Sequence, residues 1–409
     1  MNLPRVPGRL RAVAVARDEA LRRPVHDART AAILGICLGV CFLVCFLTGL
    51  YSHLQQNPVT WLPVPPRPAS LYRVTQGLHV ATGFATVPLL LAKLWSVYPR
   101  LFRWPPVSGA AHTVERLMLV PLVCGAVFML FSGVANVSRW YPWGFYFPAA
   151  HYWVAWITVG ALVAHVGAKA AVARAALARP GDAAALGDAA ALGDPASGDP
   201  MTAPARGALG RRGFLGAVAV ATGVVTVTTV GQTVSPLRPL TLFAQRRPDI
   251  GPQGVPVNRS AVQAGVVDAA GDPAFRLRVT GAVTRRVELT GTDLDRLARR
   301  EAELPIACVE GWSTSARWRG VPVADLLAAA GVEPDDGVTV RVESLQARGR
   351  YRASELNHRQ AGDLDTMLAV ALNGERLDLD HGYPCRLIGP NRAGVLQTKW
   401  VHELVVVRA

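Results

Sequence analysis

The hydrophobic positions divide this chain into two unlike parts near residue 235. Before that point, apolar residues continue for roughly 20 positions at a time, which is the length needed to cross a bilayer. These runs predict five transmembrane helices, at about 31–51, 78–98, 117–135, 150–170 and 213–234. From about residue 245 the apolar positions alternate over short stretches, which predicts short strands and short helices. We therefore expect a multi-domain protein, with an N-terminal α-helical transmembrane bundle (four spans plus a fifth anchor helix) and a C-terminal mixed α+β domain.

The composition between the apolar runs sets the expected boundaries. Residues 1–30 form a basic cytoplasmic N-terminus, and residues 31–170 hold the four-helix transmembrane module. Residues 171–210 are rich in Ala, Gly, Asp and Pro, which predicts a flexible cytoplasmic linker. Residues 211–234 hold the fifth helix, and residues 245–409 form a domain long enough to bury its own core.

Charge adds an orientation to this topology. The chain is 51% hydrophobic and carries a formal net charge of +14. Arginines precede the first span and also follow the second and fourth spans, and cytoplasmic loops are the ones enriched in Lys and Arg. We therefore expect a multi-pass protein with a cytoplasmic N-terminus and an extracytoplasmic C-terminal domain. The arginines form no basic groove interleaved with aromatic residues, so no nucleic-acid partner is expected.

The fifth apolar run begins with Arg211-Arg212-Gly213-Phe214-Leu215-Gly216. Adjacent arginines before a modest apolar run resemble a twin-arginine export signal, here placed inside the chain. That pathway moves folded domains across the bacterial plasma membrane, as required when a cofactor is inserted before export. The alternative is that Arg211 and Arg212 only anchor the helix on its cytoplasmic side. No small-residue cleavage site follows, so we expect the helix to remain as an anchor.

Cys308 is the most informative cysteine of the six, whose spacing indicates no disulfide framework. Cys37, Cys41 and Cys45 recur on one face of the first span, where small packing residues are expected. Cys124 and Cys385 are expected to be inert core thiols. Cys308 instead lies in the polar and aromatic motif Ile306–Ser313. Its thiolate would serve as a soft metal ligand, a nucleophile or a redox thiol, and the residues alone leave these open.

Several motifs follow Cys308 in a definite order and carry a family resemblance. They are Trp318–Pro322, Leu372-Asn373-Gly374, His381–Leu387 and Gly394–Trp400. Together with Ile306–Ser313 they resemble the molybdopterin-binding core of the sulfite oxidase family, over about residues 252 to 409.

This resemblance implies roles for individual residues. It implies that Cys308 ligates the molybdenum of a Mo-molybdopterin cofactor, with Asn258 and Arg259 meeting the cofactor near the metal. Ser344 falls where the methionine-sulfoxide reductase branch has a pterin-contacting threonine, and His381 falls where that branch has an asparagine. The positions that bind the pterin phosphate and its ring are Arg386, Gly394 and Lys399. A separate set of arginines is left open between an anion pocket and ordinary surface charge: Arg317, Arg319, Arg348, Arg350 and Arg352.

The membrane half offers histidines for a second cofactor. His79 opens the second predicted span and His151 opens the fourth, and two imidazoles from facing helices are able to hold a b-type haem. His53 is a competing ligand. The alternative is that these are interfacial histidines beside an aromatic belt. His165 lies fourteen residues after His151, but the residue fourteen after His79 is Lys93, so the pattern supports at most one haem. The four-span region also resembles, more loosely, the membrane b-type cytochrome subunits of bacterial respiratory oxidoreductases.

The function expected from the sequence is that of a membrane-anchored molybdopterin-dependent oxidoreductase with an exported catalytic domain. It would transfer an oxygen atom to or from a small oxyanion or S-oxide. Its expected partners are the lipid bilayer, a small-molecule substrate, and either the quinone pool or a soluble redox protein. One alternative is a haem-free, membrane-anchored molybdoenzyme that uses the soluble partner. The other is a non-catalytic membrane scaffold that retains the fold.

Overall fold

The computed structural model describes residues 24–59, 61–101, 109–178, 210–242, 246–335 and 337–408. Most of the predicted basic N-terminus (1–30) and of the predicted linker (171–210) lies outside these described residues.

Five long helices lie where the sequence predicts the five apolar spans. They are α1 (Ala28–Gln56), α2 (Leu71–Leu101), α3 (Ala110–Val137), α4 (Phe147–Leu177) and α5 (Arg211–Val230). Each is long and apolar enough to cross a membrane by length and composition. The first four extend beyond the predicted spans at both ends. Hydropathy locates only the apolar centre of a helix, whereas its hydrogen-bonded backbone continues into polar sequence.

The remaining described residues form a mixed α+β domain. Its short helices are α6 (Ala261–Ala264), α7 (Val267–Gly271), α8 (Gly291–Leu297), α9 (Val323–Ala329) and α10 (His358–Gly362). Its strands are β1 (Arg276–Gly281), β2 (Val287–Thr290), β3 (Arg300–Ala307), β4 (Ser313–Pro322), β5 (Val338–Ser344), β6 (Ala353–Asn357), β7 (Met367–Leu372), β8 (Glu375–Arg376), β9 (Arg386–Ile388) and β10 (Val401–Arg408). Single 3-10 turns occur at Pro252–Gly254, Leu379–His381 and Gly394–Leu396.

The strands form two five-stranded sheets. The first has the order β2-β1-β10-β5-β6, and the second has the order β3-β4-β7-β8 with β9 also paired to β7. Strand β1 pairs in parallel with β10, the last strand of the chain, and the other pairs are antiparallel. The parallel pair brings the end of the sequence into the centre of the first sheet.

Side-chain periodicity explains these elements. In β1, Leu277 and Val279 are fully buried while Arg276 and Arg278 are exposed, which is the alternation of a strand with one buried face. Strand β7 is buried at every position, as expected for a strand covered on both faces. Helix α8 begins with a capping box between Thr290 and Asp293, in which each side chain accepts a hydrogen bond from the other residue's backbone N–H.

The described chain separates into two compact units. The second unit contains Leu47–Val80, Val137–Trp140 and Val227–Ala409, so it includes the mixed domain together with several helix ends. Its larger core packs β1, β5 and β10 against α8 and α9, and a second core surrounds Trp312 and Trp318. The candidate site lies beside this second core.

The first unit holds the remaining lengths of the long helices. Its core joins apolar residues of α1, α2, α3 and α5. Within this unit, Arg211 forms an ion pair with Asp27 at 3.2 Å. Lys93 donates to the Ala31 carbonyl at 2.5 Å, which gives this ammonium a partner on an apolar helix.

Candidate functional site

Cys308 lies at the sharp turn between β3 and β4. Its backbone N–H donates to the Trp312 carbonyl at 2.9 Å, and the Gly311 N–H donates to the Cys308 carbonyl at 3.0 Å. Gly311 has φ +94°, a conformation that an L side chain would strain. The turn therefore reverses the chain within a few residues and leaves the Cys308 side chain buried, at 2% exposure.

Two donors approach the sulfur of Cys308. Asn258 Nδ2 donates to Sγ at 3.4 Å, and the backbone N–H of Glu310 donates to it at 3.5 Å. Burial, followed by the nearby Glu310 carboxylate, raises the pKa of the Cys308 thiol to about 12. Burial therefore disfavours the free thiolate. A soft metal ion in place of the proton removes this penalty, and the two N–H donors then stabilise the ligating sulfur.

Arg386 is a buried cation without a counter-ion among the described residues. Its two terminal nitrogens donate to the carbonyls of His381 and Gln397, each at 3.1 Å, and its guanidinium lies 5.2 Å from the centre of the Trp318 ring. Its Nε has no hydrogen-bond partner among the described residues. Burial lowers the pKa of Arg386 to about 10. A phosphate group would suit the planar set of donors of this buried guanidinium.

Lys399 lies near Arg386 and joins the segments around the site. Its ammonium donates to the carbonyls of Arg259 at 2.5 Å and Asp380 at 2.8 Å. Burial, followed by the charge of Arg386, lowers the pKa of Lys399 to about 7. Two cations with depressed pKa values in one small region indicate a site for a negatively charged group.

His381 is neutral in this arrangement. Its Nε2 lies 2.8 Å from the Pro252 carbonyl, so this nitrogen carries the proton and donates. Burial, followed by the charge of Arg386, lowers the pKa of His381 to about 4. The His381 side chain therefore connects the 3-10 turn Leu379–His381 to the backbone at Pro252. Its carbonyl accepts a hydrogen bond from Arg386.

Gly394 and Ser344 each contact the backbone of another segment of the site. A Cβ added to Gly394 would lie 2.7 Å from the Ala307 carbonyl oxygen, so only glycine allows this close approach to the Cys308 segment. The Ser344 hydroxyl donates to the Lys399 carbonyl at 2.7 Å and holds the strand that follows Lys399. All eight residues that the sequence predicts in this domain thus belong to one connected neighbourhood, and their individual cofactor contacts stay predictions.

Sequence reasoning did not identify Glu310 and Arg392 as parts of this neighbourhood. Glu310 lies between Arg246 at 3.1 Å and Arg139 at 3.5 Å, and its carboxylate accepts a hydrogen bond from the Trp312 indole at 3.2 Å. Arg392 is fully buried and donates to Gln360 Oε1 at 2.8 Å and to two backbone carbonyls. No local signal distinguishes such residues from surface charges, because their burial depends on distant segments. By contrast, the five arginines left open between an anion pocket and surface charge are exposed, except for half-buried Arg319.

The histidines proposed as haem ligands are bonded to hydroxyl groups of neighbouring helices. His79 Nδ1 lies 3.1 Å from Thr48 Oγ1 in the second compact unit. His151 Nδ1 lies 3.0 Å from Ser132 Oγ in the first unit. Such a second-nitrogen contact orients an imidazole for metal ligation and equally satisfies a structural histidine. Haem ligation by His79 and His151 therefore stays a prediction.

The site residues fit the cofactor that the sequence resemblance implies. Cys308 supplies one thiolate, and Asn258 supports it. Arg386 and Lys399 offer buried positive charge for a phosphate, and the orphaned Nε of Arg386 offers a donor. Gly394 leaves room close to the Cys308 backbone.

Comparison with known proteins agrees with this chemistry. Residues 264–409 match the family described as the oxidoreductase molybdopterin binding domain. A putative protein-methionine-sulfoxide reductase subunit YedZ1 of Azospira oryzae is 29% identical over 143 residues, which cover 35% of this chain and 52% of that protein. The mitochondrial sulfite oxidase of Drosophila melanogaster is 29% identical over 31% of this chain and 22% of its own length. The Arabidopsis thaliana sulfite oxidase is 31% identical over 24% of this chain and 29% of its own length.

Among solved structures, the sulfane dehydrogenase SoxCD of Paracoccus pantotrophus is 30% identical over 33% of this chain and 38% of its own chain, with a TM-score of 0.30. The chain thus spans about half, or less, of the length of these relatives.

Proposed function

We propose that this chain is a membrane-anchored molybdopterin-dependent oxidoreductase whose C-terminal domain is of the sulfite oxidase family. Residues 264–409 match the oxidoreductase molybdopterin binding domain, which supports this proposal. The proposed reaction is oxygen-atom transfer to or from a small oxyanion or an S-oxide. For an S-oxide, two electrons and two protons enter, the S–O bond breaks, and a sulfide and water leave. In the other direction, water supplies the oxygen atom, and two electrons and two protons leave. The bound molybdenum centre would supply this two-electron chemistry.

The protein residues would hold and orient the cofactor. Cys308 would ligate the metal through Sγ, with Asn258 Nδ2 and the Glu310 N–H directed at that sulfur. Arg386 and Lys399 would bind the phosphate, and neutral His381 would hold the Arg386 segment in place. The observation that carries the proposal is the buried Arg386, whose Nε has no hydrogen-bond partner in the described parts of the chain. An anion beside it would offset the free-energy cost of burying its charge.

The helix ends in the second compact unit support anchoring on one side of the membrane. This unit includes the C-terminal ends of α1, α3 and α5 and the N-terminal end of α2. These ends share one membrane face when consecutive spans alternate in direction. The distribution of arginines favours the extracytoplasmic face of a bacterial plasma membrane for that side. Export of the folded domain would then use the twin-arginine-like segment at Arg211 and Arg212.

We further propose that electrons pass between the domain and a quinone or a soluble redox protein through the helical module. A b-type haem held by His79 and His151 would provide the intermediate carrier. The proposal rests on the sequence pattern, in which His79 and His151 open two apolar spans.

Elemental analysis of the detergent-purified full chain, made in a host that supplies the cofactor, tests both the molybdenum site and the haem. We expect about one molybdenum per chain, together with iron and a reduced-minus-oxidised spectrum with b-type bands. Absence of molybdenum would contradict the enzyme assignment and favour the scaffold. Molybdenum without iron or b-type bands would contradict the haem and favour a soluble redox partner. His79→Ala and His151→Ala should each remove the b-type bands and leave the molybdenum content unchanged.

A further inference from the structure

Asn391 links the domain to the helix ends of its own compact unit. It is 1% exposed, and its Oδ1 accepts hydrogen bonds from the Tyr51 hydroxyl and from the Tyr72 backbone N–H, each at 2.9 Å. Its Nδ2 donates to the Pro65 carbonyl at 2.7 Å, and Gln55 donates to the Asn391 carbonyl at 2.8 Å. Among the described residues, the hydrogen-bond partners of this buried side chain all come from the first 72 residues. Its backbone is left-handed, with φ +50°.

The segment that follows Asn391 contacts the Cys308 segment. Ala393 pairs with Ala307 in an isolated parallel bridge, and Gly394 approaches the Ala307 carbonyl. Tyr72, which is 1% exposed, packs in one buried cluster with Ala307 and Ala393. Its hydroxyl is bonded to Ser52 Oγ at 3.1 Å and lies within electrostatic range of the Cys308 thiol. A residue from the start of α2 is therefore part of the packing around Cys308.

The turn after Cys308 also lies against residues at the helix ends. The Gly311 carbonyl accepts a hydrogen bond from Thr233 Oγ1 at 2.5 Å, and a Cβ at Gly311 would contact Val80 and Val137 at 3.3 and 3.4 Å. Arg139 forms the ion pair with Glu310 described above. Three helix ends thus contact the turn that carries Cys308, in addition to the contacts made through Asn391.

We propose that the helix ends form an integral wall of the cofactor site, in which Tyr72 and Asn391 are positioning residues for the Cys308 segment. The membrane module would then be a structural part of the site in addition to an anchor. This inference rests on the proposed function, because it concerns the same cofactor. Its physical basis is that Asn391 fixes the 391–394 segment through buried hydrogen bonds, which are costly to leave unmade.

The test uses the full chain in detergent and two readouts besides activity: molybdenum per chain and the Mo(V) electron paramagnetic resonance spectrum. Asn391→Gly keeps a residue that tolerates a positive φ and removes the side-chain hydrogen bonds. Tyr72→Ala removes the packed ring. We expect each to lower molybdenum retention by about 10-fold or to shift the Mo(V) signal, as loss of supporting contacts does at other metal sites.

Matched variants keep the test specific. Tyr72→Phe retains the ring and should keep the molybdenum content and the Mo(V) signal. Arg67→Ala breaks ion pairs with Asp363 and Asp365 between the α1–α2 connection and the domain, without touching Asn391 or Cys308. It should also keep both.

Unchanged molybdenum and an unchanged Mo(V) signal in both Asn391→Gly and Tyr72→Ala would overturn the inference. Equal losses of molybdenum in Arg67→Ala and Tyr72→Ala would also overturn it. Weakening any contact between the α1–α2 connection and the domain would then have the same effect as removing the Tyr72 ring. Where Tyr72→Ala fails to fold, Tyr51→Phe removes a single hydrogen bond to Asn391 and should shift the Mo(V) signal; an unchanged signal there counts against the inference. A wild-type chain without molybdenum would instead refute the proposed function.

Discussion

Cys308 and Cys385 are both buried cysteines of the C-terminal domain, and burial raises the pKa of each thiol to about 12. Their surroundings differ. Cys385 donates to the Val401 carbonyl at 3.3 Å and packs in the large apolar core. Cys308 instead accepts hydrogen bonds from Asn258 and Glu310 and lies near the charge of Lys399. The chemistry of the neighbours therefore distinguishes a candidate metal ligand from a packing residue, whereas burial and pKa do not.

The contrast extends to the charged groups around each sulfur. Burial in the large apolar core raises the pKa of Cys385. At Cys308 the carboxylate of Glu310 opposes ionisation while Arg246 and Asn258 favour it. Such opposing influences concentrate at functional sites, because binding a charged ligand needs charges that an apolar core avoids.

The largest expected effect is that of Cys308→Ser. Replacing a direct metal ligand should lower turnover by at least about 100-fold, more than the loss of a supporting contact at a metal site. Turnover with a reduced or oxidised dye and molybdenum content are measured on the same preparation. A Cys308→Ser enzyme with wild-type turnover would remove the distinction between the two cysteines.

Arg386→Met should weaken cofactor retention by about 10- to 100-fold, since the buried guanidinium would lose its role as the phosphate partner. Arg386→Lys keeps the charge but not the planar donors, so its loss should be intermediate. Pterin and molybdenum released during gel filtration measure retention. The matched control is Arg319→Met, because Arg319 donates only to the Ala298 carbonyl among the described contacts. Equal losses in Arg319→Met and Arg386→Met would contradict a phosphate site at Arg386.

His381 should make the domain sensitive to acid. Its pKa is lowered to about 4 in the folded state from the ordinary 6.5, so between these values the unfolded chain binds a proton that the folded chain excludes. Stability is therefore fully present above pH 6.5 and decreases as the pH falls to about 4, by up to about 3 kcal/mol. Thermal unfolding of the full chain across this range measures the slope. His381→Asn should flatten it, and an identical slope in that variant would assign the acid sensitivity to other groups.

Cys385→Ala should have the smallest effect. It removes one buried sulfur and its weak hydrogen bond, which should lower the free energy of unfolding by about 1–2 kcal/mol. Molybdenum content and the Mo(V) signal should equal those of the wild type. A loss of molybdenum comparable with that of Cys308→Ser would show that the two sites are coupled, and the comparison would fail.

Much of this structure follows from local patterns. Each of the five long helices corresponds to an apolar run, and β1, β5 and β10 correspond to alternating or apolar stretches. Helix α8 ends at Leu297, because the chain enters β3 at Arg300. Boundaries of this kind depend on strand pairing, which the local sequence does not encode. The motifs that follow Cys308 in the sequence likewise predicted residues that the fold brings together around it.

The sequence by itself determined the apolar helices, the alternating strands and the candidate ligand Cys308, because these depend on periodicity and on the chemistry of single residues. Only the tertiary structure decided that Arg386 is buried, with no partner for its Nε among the described residues, and that Asn391 accepts a hydrogen bond from Tyr51, 340 positions away. The physical reason is that hydrogen bonding and desolvation depend on which distant groups surround an atom. The motif around Cys308 sets it apart from Cys385 in the sequence, but only the fold shows which groups surround each sulfur.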